Sequence, residues 1–263
     1  RGMYYYVAGA DKIPLSFADC LGGLQSVIAQ NLSLTIEIAS PRIQVLKSLN
    51  PKYKITQGTL PTKESETSNN FGIELKLGDL YSEEKRDILF EIKIPKLSYE
   101  DKNYPTISLK LNYFNVISIQ DELVETTVVV KRSKTVPTNL KPSVSLDIQR
   151  NRILVANSME EARKKANAGD LDSARVVLED MIKLVQNSVS HKNPYCQNLV
   201  SEMGECISDM QSEEMYRSEG AKKISRKEQA HYMQRSNKIE ESEISFYETS
   251  TKASYKKSAR FFS

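Results

Sequence analysis

The chain has 263 residues, of which 39% are hydrophobic and 27% charged, with a net charge of +3. That is enough apolar material for a core, with polar segments left over, and a whole-chain balance that does not point to nucleic acid. No apolar run approaches the ~18–20 residues of a membrane span, and three cysteines at unpatterned spacings read as reduced thiols of a cytosolic protein rather than a disulfide framework.

The charge is uneven along the chain: residues 221–263 hold ten Lys/Arg against five Asp/Glu. The first segment, 1–30, begins with Tyr4-Tyr5-Tyr6-Val7, an aromatic run that predicts a strand. Pro14 suits the first turn of a following helix. Ile13, Phe17, Leu21, Leu24 and Ile28 recur at spacings of three and four and predict one apolar face. Gly22-Gly23 weakens this helix by about 1 kcal/mol per glycine. Close packing against a neighbour, or a kink, would each account for the pair.

Over 31–132 the period changes to two. Leu32 to Ile38, Phe71 to Leu77, Ile88 to Ile94 and Ile107 to Tyr113 alternate apolar with polar residues, and Leu123 to Val130 is rich in β-branched residues. Shorter strands are predicted at 42–46 and 53–57, with turns at Gly78-Asp79 and Asn103. Six or seven such strands predict an antiparallel β-sandwich. The stretch from Thr59 to Asn70 is polar and reads as a loop.

Residues 133–145 read as a linker. From 146 to 216 the period is helical. The first helix carries an Ala-rich side (Ala156, Ala162, Ala166) and ends at Gly169; Asp170 caps a second, so the two form a hairpin. A third is predicted from Pro194 to about Met215. Residues 217–263 read as a short helix near 225–239 and then a basic, Ser/Thr-rich extended tail.

The search for chemistry returns little. His191 reads as a solvated loop residue and His231 as a surface or partner contact. Neither has an Asp and a Ser at a triad spacing, although a site assembled in space stays open. Cys196 and Cys206 lie ten apart, off a common helical face, and no metal-ligand spacing or phosphate-binding glycine loop occurs. No catalytic, cofactor or metal residues are assigned, and the expectation is of a protein that is not an enzyme. The basic and aromatic residues of the last segment suit docking to a partner surface: Lys222, Lys223, Arg226, Lys227, Tyr255, Lys256, Lys257, Arg260, Phe261 and Phe262. A soluble disordered terminus is the alternative.

Three phrases carry a family resemblance. GMYYYVAGADKIPLSFADCLGGLQSVIAQNLSL resembles the last strand and helix of a von Willebrand factor type A (vWA) domain. FGIELKLGDLYSEEKRDILFEIKIP resembles the β-sandwich that follows this domain in intracellular proteins, among them ciliate proteins with Hedgehog/intein-type modules and plant RING-type ubiquitin ligases. ANAGDLDSARVVLEDMI and SRKEQAHYMQRS resemble the helical region after that sandwich. The resemblance runs in one order over residues 1 to about 236. It implies a multidomain chain: the end of an α/β, Rossmann-like domain, then a sandwich, then a helical hairpin or bundle.

The function it implies is a non-enzymatic protein–protein interaction or scaffold role within a larger assembly, cytoplasmic and in a ciliary or cytoskeletal setting. The rival is the substrate-recognition part of a RING-type ubiquitin ligase whose RING lies outside this chain. The family's metal loop, Asp-x-Ser-x-Ser, is absent from residues 1–263. A divalent cation, Mg or Ca, enters only if upstream residues supply that loop.

Overall fold

The computed structural model describes residues 4, 5, 7, 9–40, 42–53, 56–59, 71–135, 140–236 and 246–260. The fold is mixed α/β and divides into two compact units. One holds Arg1–Ser26, Glu83–Asp87 and Lys141–Ser263; the other holds Val27–Ser82 and Ile88–Leu140.

The β unit contains all seven predicted strands: β1 (Val27–Ile38), β2 (Gln44–Ser48), β3 (Thr56–Thr59), β4 (Phe71–Tyr81), β5 (Phe90–Lys93), β6 (Asp101–Asn115) and β7 (Gln120–Arg132). They form a five-stranded sheet in the order β3-β4-β1-β6-β7 and a two-stranded sheet, β2-β5. Every pairing is antiparallel. The alternation read from the sequence does the sorting. Ile36, Ile73 and Leu75 point to one face and are buried, joined by Leu34, Ile107 and Leu109 from the same sheet and by Val45 and Phe90 from the smaller one. Thr35, Glu74 and Lys110 lie on the other face of the same strands.

Two predicted turns are instead irregularities inside long strands. Gly78, at φ 76°, sits within β4 opposite Leu32, where the β1–β4 register shifts. Asn31, at φ 56°, donates its backbone N–H to Asp79 Oδ1 at 3.1 Å across the same bulge. The glycine signal was real but marked a bulge, which inserts a residue without reversing the chain. Asn103 likewise lies within β6. The reversal comes at 116–119, where the Asn115 side chain accepts the backbone N–H groups of Ile117 and Ser118.

The other unit is helical. It contains α1 (Ile13–Gln25), α2 (Val144–Asn167), α3 (Leu171–Gln186), α4 (Pro194–Ser208), the single turn α5 (Glu213–Met215), α6 (Ala221–Met233) and α7 (Ser250–Arg260). The starts follow the capping residues: the side chains of Ser143, Asp170 and Asn193 accept backbone N–H groups at the heads of α2, α3 and α4. The Asp170 carboxyl is held below its usual range by hydrogen bonds from Ser173. Gly169, at φ 89°, ends α2 in the left-handed conformation that glycine adopts without strain. The predicted third helix stops at Ser208 rather than Met215, and a π-helical stretch, Tyr216–Gly220, leads into α6.

Ala156, Ala162 and Ala166 are buried as their spacing predicts, and α2 packs against α3, α4 and α6. The core is filled by Val155, Met159, Leu178, Leu199, Met203 and Ile224. Cys196 and Cys206 both enter it. Ten residues apart, they stand about 80° apart around α4, so one broad apolar face buries both, contrary to the spacing argument. Burial pushes the Cys206 thiol up to about 12, whereas Cys20 is exposed. Native protein is therefore expected to show one thiol that reacts quickly with a disulfide reagent at neutral pH. Denaturant should release the other two. Fast reaction of two or three thiols in the folded protein would contradict this packing.

Two features of the first segment differ from expectation. Tyr4, Tyr5 and Val7 are in no strand; none of the described strands offers them a ladder. The apolar stripe of α1 is turned outward. Ile13, Phe17, Leu21 and Leu24 are exposed, Phe17 by 65%, while Leu15, Ala18, Asp19 and Gly22 are buried. The reason lies in α7, which packs along the opposite side of α1. A Cβ added at Gly22 would lie 3.2 Å from the side chain of Tyr255, so this glycine admits α7. Ile28 falls outside the helix, in β1.

The extended tail expected after Ile239 is also corrected, over residues 250–260, which are helical. Lys252 and Lys256, one helical turn apart, are both buried against Asp19. Residues 237–245 and 261–263 lie outside the described residues.

Candidate functional site

The predicted docking residues divide between α6 and α7, and most of their charge is met within the chain. Lys223 pairs with Glu219 and Asp209 at 2.9 and 3.5 Å. Lys227 pairs with Glu205. Arg226 is buried, and Lys222 and Lys257 are exposed. On α7, Lys256 pairs with Asp19 and Glu248, and the Tyr255 hydroxyl donates to Gln25. Arg260 closes α7; Phe261 and Phe262 lie outside the described residues. These residues thus hold α6 and α7 in place as much as they offer charge to a partner.

The helical unit also holds a polar network that the sequence did not announce. His231 is 3% exposed, not a surface residue. Its Nε2–H donates to Glu202 Oε2 at 2.6 Å, and Nδ1 lies 2.9 Å from the Tyr247 hydroxyl. A carboxylate only accepts, which places the imidazole proton on Nε2 and leaves Nδ1 to accept from Tyr247. Tyr195 in turn donates to the Tyr247 oxygen. Burial works to raise the Glu202 carboxyl, but the hydrogen bond from His231, the charge of Lys227 and the amide of Asn198 outweigh it and hold the group below its usual range. Burial raises both tyrosine hydroxyls, so they serve as donors rather than bases.

Tyr195 and Tyr247 line a cleft of about 360 Å3 with Phe246, Ile148, Arg152 and the Glu83–Asp87 segment. Arg152 is 1% exposed. It donates to Gln149 Oε1 at 2.7 Å, to the His231 carbonyl at 2.6 Å and to the Asp87 carbonyl at 2.9 Å. Glu84 receives Arg235 and Arg86. Gln234, at φ 49°, ends α6 and sends its amide to Asp87 Oδ2 at 3.0 Å. These side chains engage one another, and the effect is to fix the walls of the cleft. Among the described residues, no group of three His, Cys, Asp or Glu side chains is placed to hold a metal ion. No described helix is long and apolar enough to cross a membrane.

The β unit offers a different kind of surface. Among the described residues, β7 is the outer strand of the five-stranded sheet, paired to β6 along one edge only. Thirteen residues long, it exposes apolar side chains on both faces: Leu123 and Val129 on one, Val124 and Val128 on the other. The second pair continues the core face past the cover given by the two-stranded sheet. The sequence carried a trace of this, since Val128-Val129-Val130 breaks the alternation of a strand with one wet face. The edge itself could not be read, because strand order is not a local property.

A family model described as CPSF6-like, RSLD domain, N-terminal region matches residues 143–242, which takes in α2 to α6. Over 181 residues the chain is 29% identical to E3 ubiquitin-protein ligase WAV3 of Arabidopsis thaliana, a match covering 66% of this chain and 22% of that one. The chain thus spans about a fifth of that relative's length. The crystal structure of the ArnB paralog VWA2 from Sulfolobus acidocaldarius aligns with 78% of this chain and 42% of that one, at a TM-score of 0.35 and 12% identity.

Proposed function

We propose that this chain is a protein-interaction and scaffold module of the vWA class, without catalysis of its own. In this reading α1 is the closing helix of an A-type domain, and its outward stripe is the face such a helix turns to a sheet. The two antiparallel sheets are the sandwich that follows, and α2 with α3 the hairpin. The chain assigns no residue to a divalent cation. One observation carries the interaction role: among the described residues β7 pairs along one edge only, and its exposed side chains include a β-branched run. Such an edge accepts a further strand through main-chain hydrogen bonds, with side chains setting the choice of partner.

A photo-crosslinking residue at Thr127 tests it, with one at Val176, an exposed position on α3, as the comparison. Protein adducts are expected from Thr127 well above those from Val176. Equal yields from the two positions would remove the interaction role of β7.

The similarity to WAV3 favours a second reading, the substrate-recognition part of a ubiquitin ligase. Under it, proteins captured at Thr127 carry ubiquitin conjugates that diminish when β7 is altered. Captured proteins without such conjugates would leave the scaffold reading alone.

A further inference from the structure

We infer that the strand accepted by β7 is β7 of a second copy of this chain, paired antiparallel about a two-fold axis through Val128. This rests on the reading of β7 as an open edge and names its occupant.

The argument is charge polarity. The first half of β7 is acidic, with Asp121, Glu122 and Glu125; its end is basic, with Lys131 and Arg132; Thr126 to Val130 between them is uncharged. A strand of this design laid antiparallel on its own copy sets acid against base at both ends and β-branched residues against each other in the middle. A parallel self-pairing would set like against like.

Register narrows the choice. Backbone groups of alternate residues point to the same edge, so an antiparallel ladder joins residues of like parity. The β6–β7 register shifts each consume an extra residue on β6, at Pro105/Ile107 and Asp101/Tyr104, so the alternation along β7 is unbroken. With Val128 opposite itself, Thr126 faces Val130 and Thr127 faces Val129. Glu125 faces Lys131, twice by symmetry. Glu125 lies 3.7 Å from Lys110 of its own chain, a long contact, while Lys110 meets Glu37 more closely at 2.9 Å; the half-exposed Glu125 carboxylate is able to meet Lys131. Glu122 is held by Tyr113, Asn115 and Ser118, and Arg132 by the Pro95 carbonyl, so neither is asked to move. Val124, Thr126, Val128 and Val130 then run on into the same row of the second copy, which covers apolar side chains that the two-stranded sheet leaves open.

The test is the mass of the whole 263-residue chain by sedimentation across a dilution series, with its charge variants. Wild type is expected to dimerise. Lys131→Glu sets two pairs of like charges face to face and should weaken the dimer by about tenfold or more. Glu125→Lys should do the same. Glu125→Lys with Lys131→Glu should restore the wild-type affinity, because the pairs are re-formed with their signs exchanged. Glu125 and Lys131 are exposed, so the melting temperature of each variant is expected to match wild type, which separates association from folding. A wild-type chain that stays monomeric at the highest concentration overturns the inference, as does a dimer indifferent to Lys131→Glu or a double variant that is not restored. If the chain is monomeric while Thr127 crosslinks other proteins, the second copy is wrong and the open edge stands. If Thr127 crosslinks nothing and the chain is monomeric, both fall.

Discussion

Replacing Asp19 by alanine is expected to release α7 from α1. Asp19 is completely buried. Its Oδ2 takes the Lys252 ammonium at 2.7 Å and the Tyr5 hydroxyl at 2.6 Å, and its Oδ1 lies 3.4 Å from Lys256. Lys252 also donates to the Ser236 carbonyl, and Lys256 to Glu248. Without Asp19, two buried ammonium groups share what remains, and removing one partner of a buried pair costs on the order of 3–5 kcal/mol. An 11-residue helix has little stability alone, so the loss should appear first as local opening of residues 246–260. Hydrogen exchange or limited proteolysis reads this directly, with α2 to α4 still protected. Asp19→Ala with Lys252→Leu should recover much of the loss, because no charge is then left without its partner. Unchanged protection of α7 in Asp19→Ala would show that the ion pair does not hold it.

Replacing Arg152 by methionine should cost about 2–5 kcal/mol, since the buried His231 carbonyl and the partly buried Asp87 carbonyl lose their donor and an orphaned buried group costs about 1–3 kcal/mol. Methionine fills the space, which separates lost hydrogen bonds from lost packing. Arg152→Lys should rescue little: an ammonium is a point donor and cannot span three acceptors as a planar guanidinium does. Arg150, two residues away on the exposed side of α2, is the control, and its methionine variant should melt close to wild type. Chemical denaturation gives the comparison. Equal midpoints for the two methionine variants would mean that the buried guanidinium contributes nothing net.

These two residues show where the sequence stops being legible. Asp19 sits in a stretch whose periodicity reads correctly as a helix, yet the periodicity assigns its burial backwards. Ile13, Phe17, Leu21 and Leu24 make the more apolar stripe, but the charged side is buried because Lys252 and Lys256 arrive to meet it. Those partners lie more than two hundred positions away. Arg152 interrupts the apolar pattern of α2, which marks it as unusual without saying what it binds. His231 shows the same: Glu202 and Tyr247, which decide its tautomer and burial, come from other elements.

The long, strongly periodic stretches came through. Period two placed β1, β4, β5 and β6, β-branched content placed β7, period 3.6 with capping residues placed α2, α3 and the start of α4, and the alanines of α2 went inward as spaced. Each signal compares a residue with neighbours a few positions away, where the geometry of one strand or helix turn fixes the outcome. The tertiary structure alone decided that Gly78 bulges a strand, that α7 is a helix clamped to α1, and that β7 lies at an edge. Each of those depends on which distant segment supplies the hydrogen bond, the counter-charge or the neighbouring strand, and no local pattern encodes that choice.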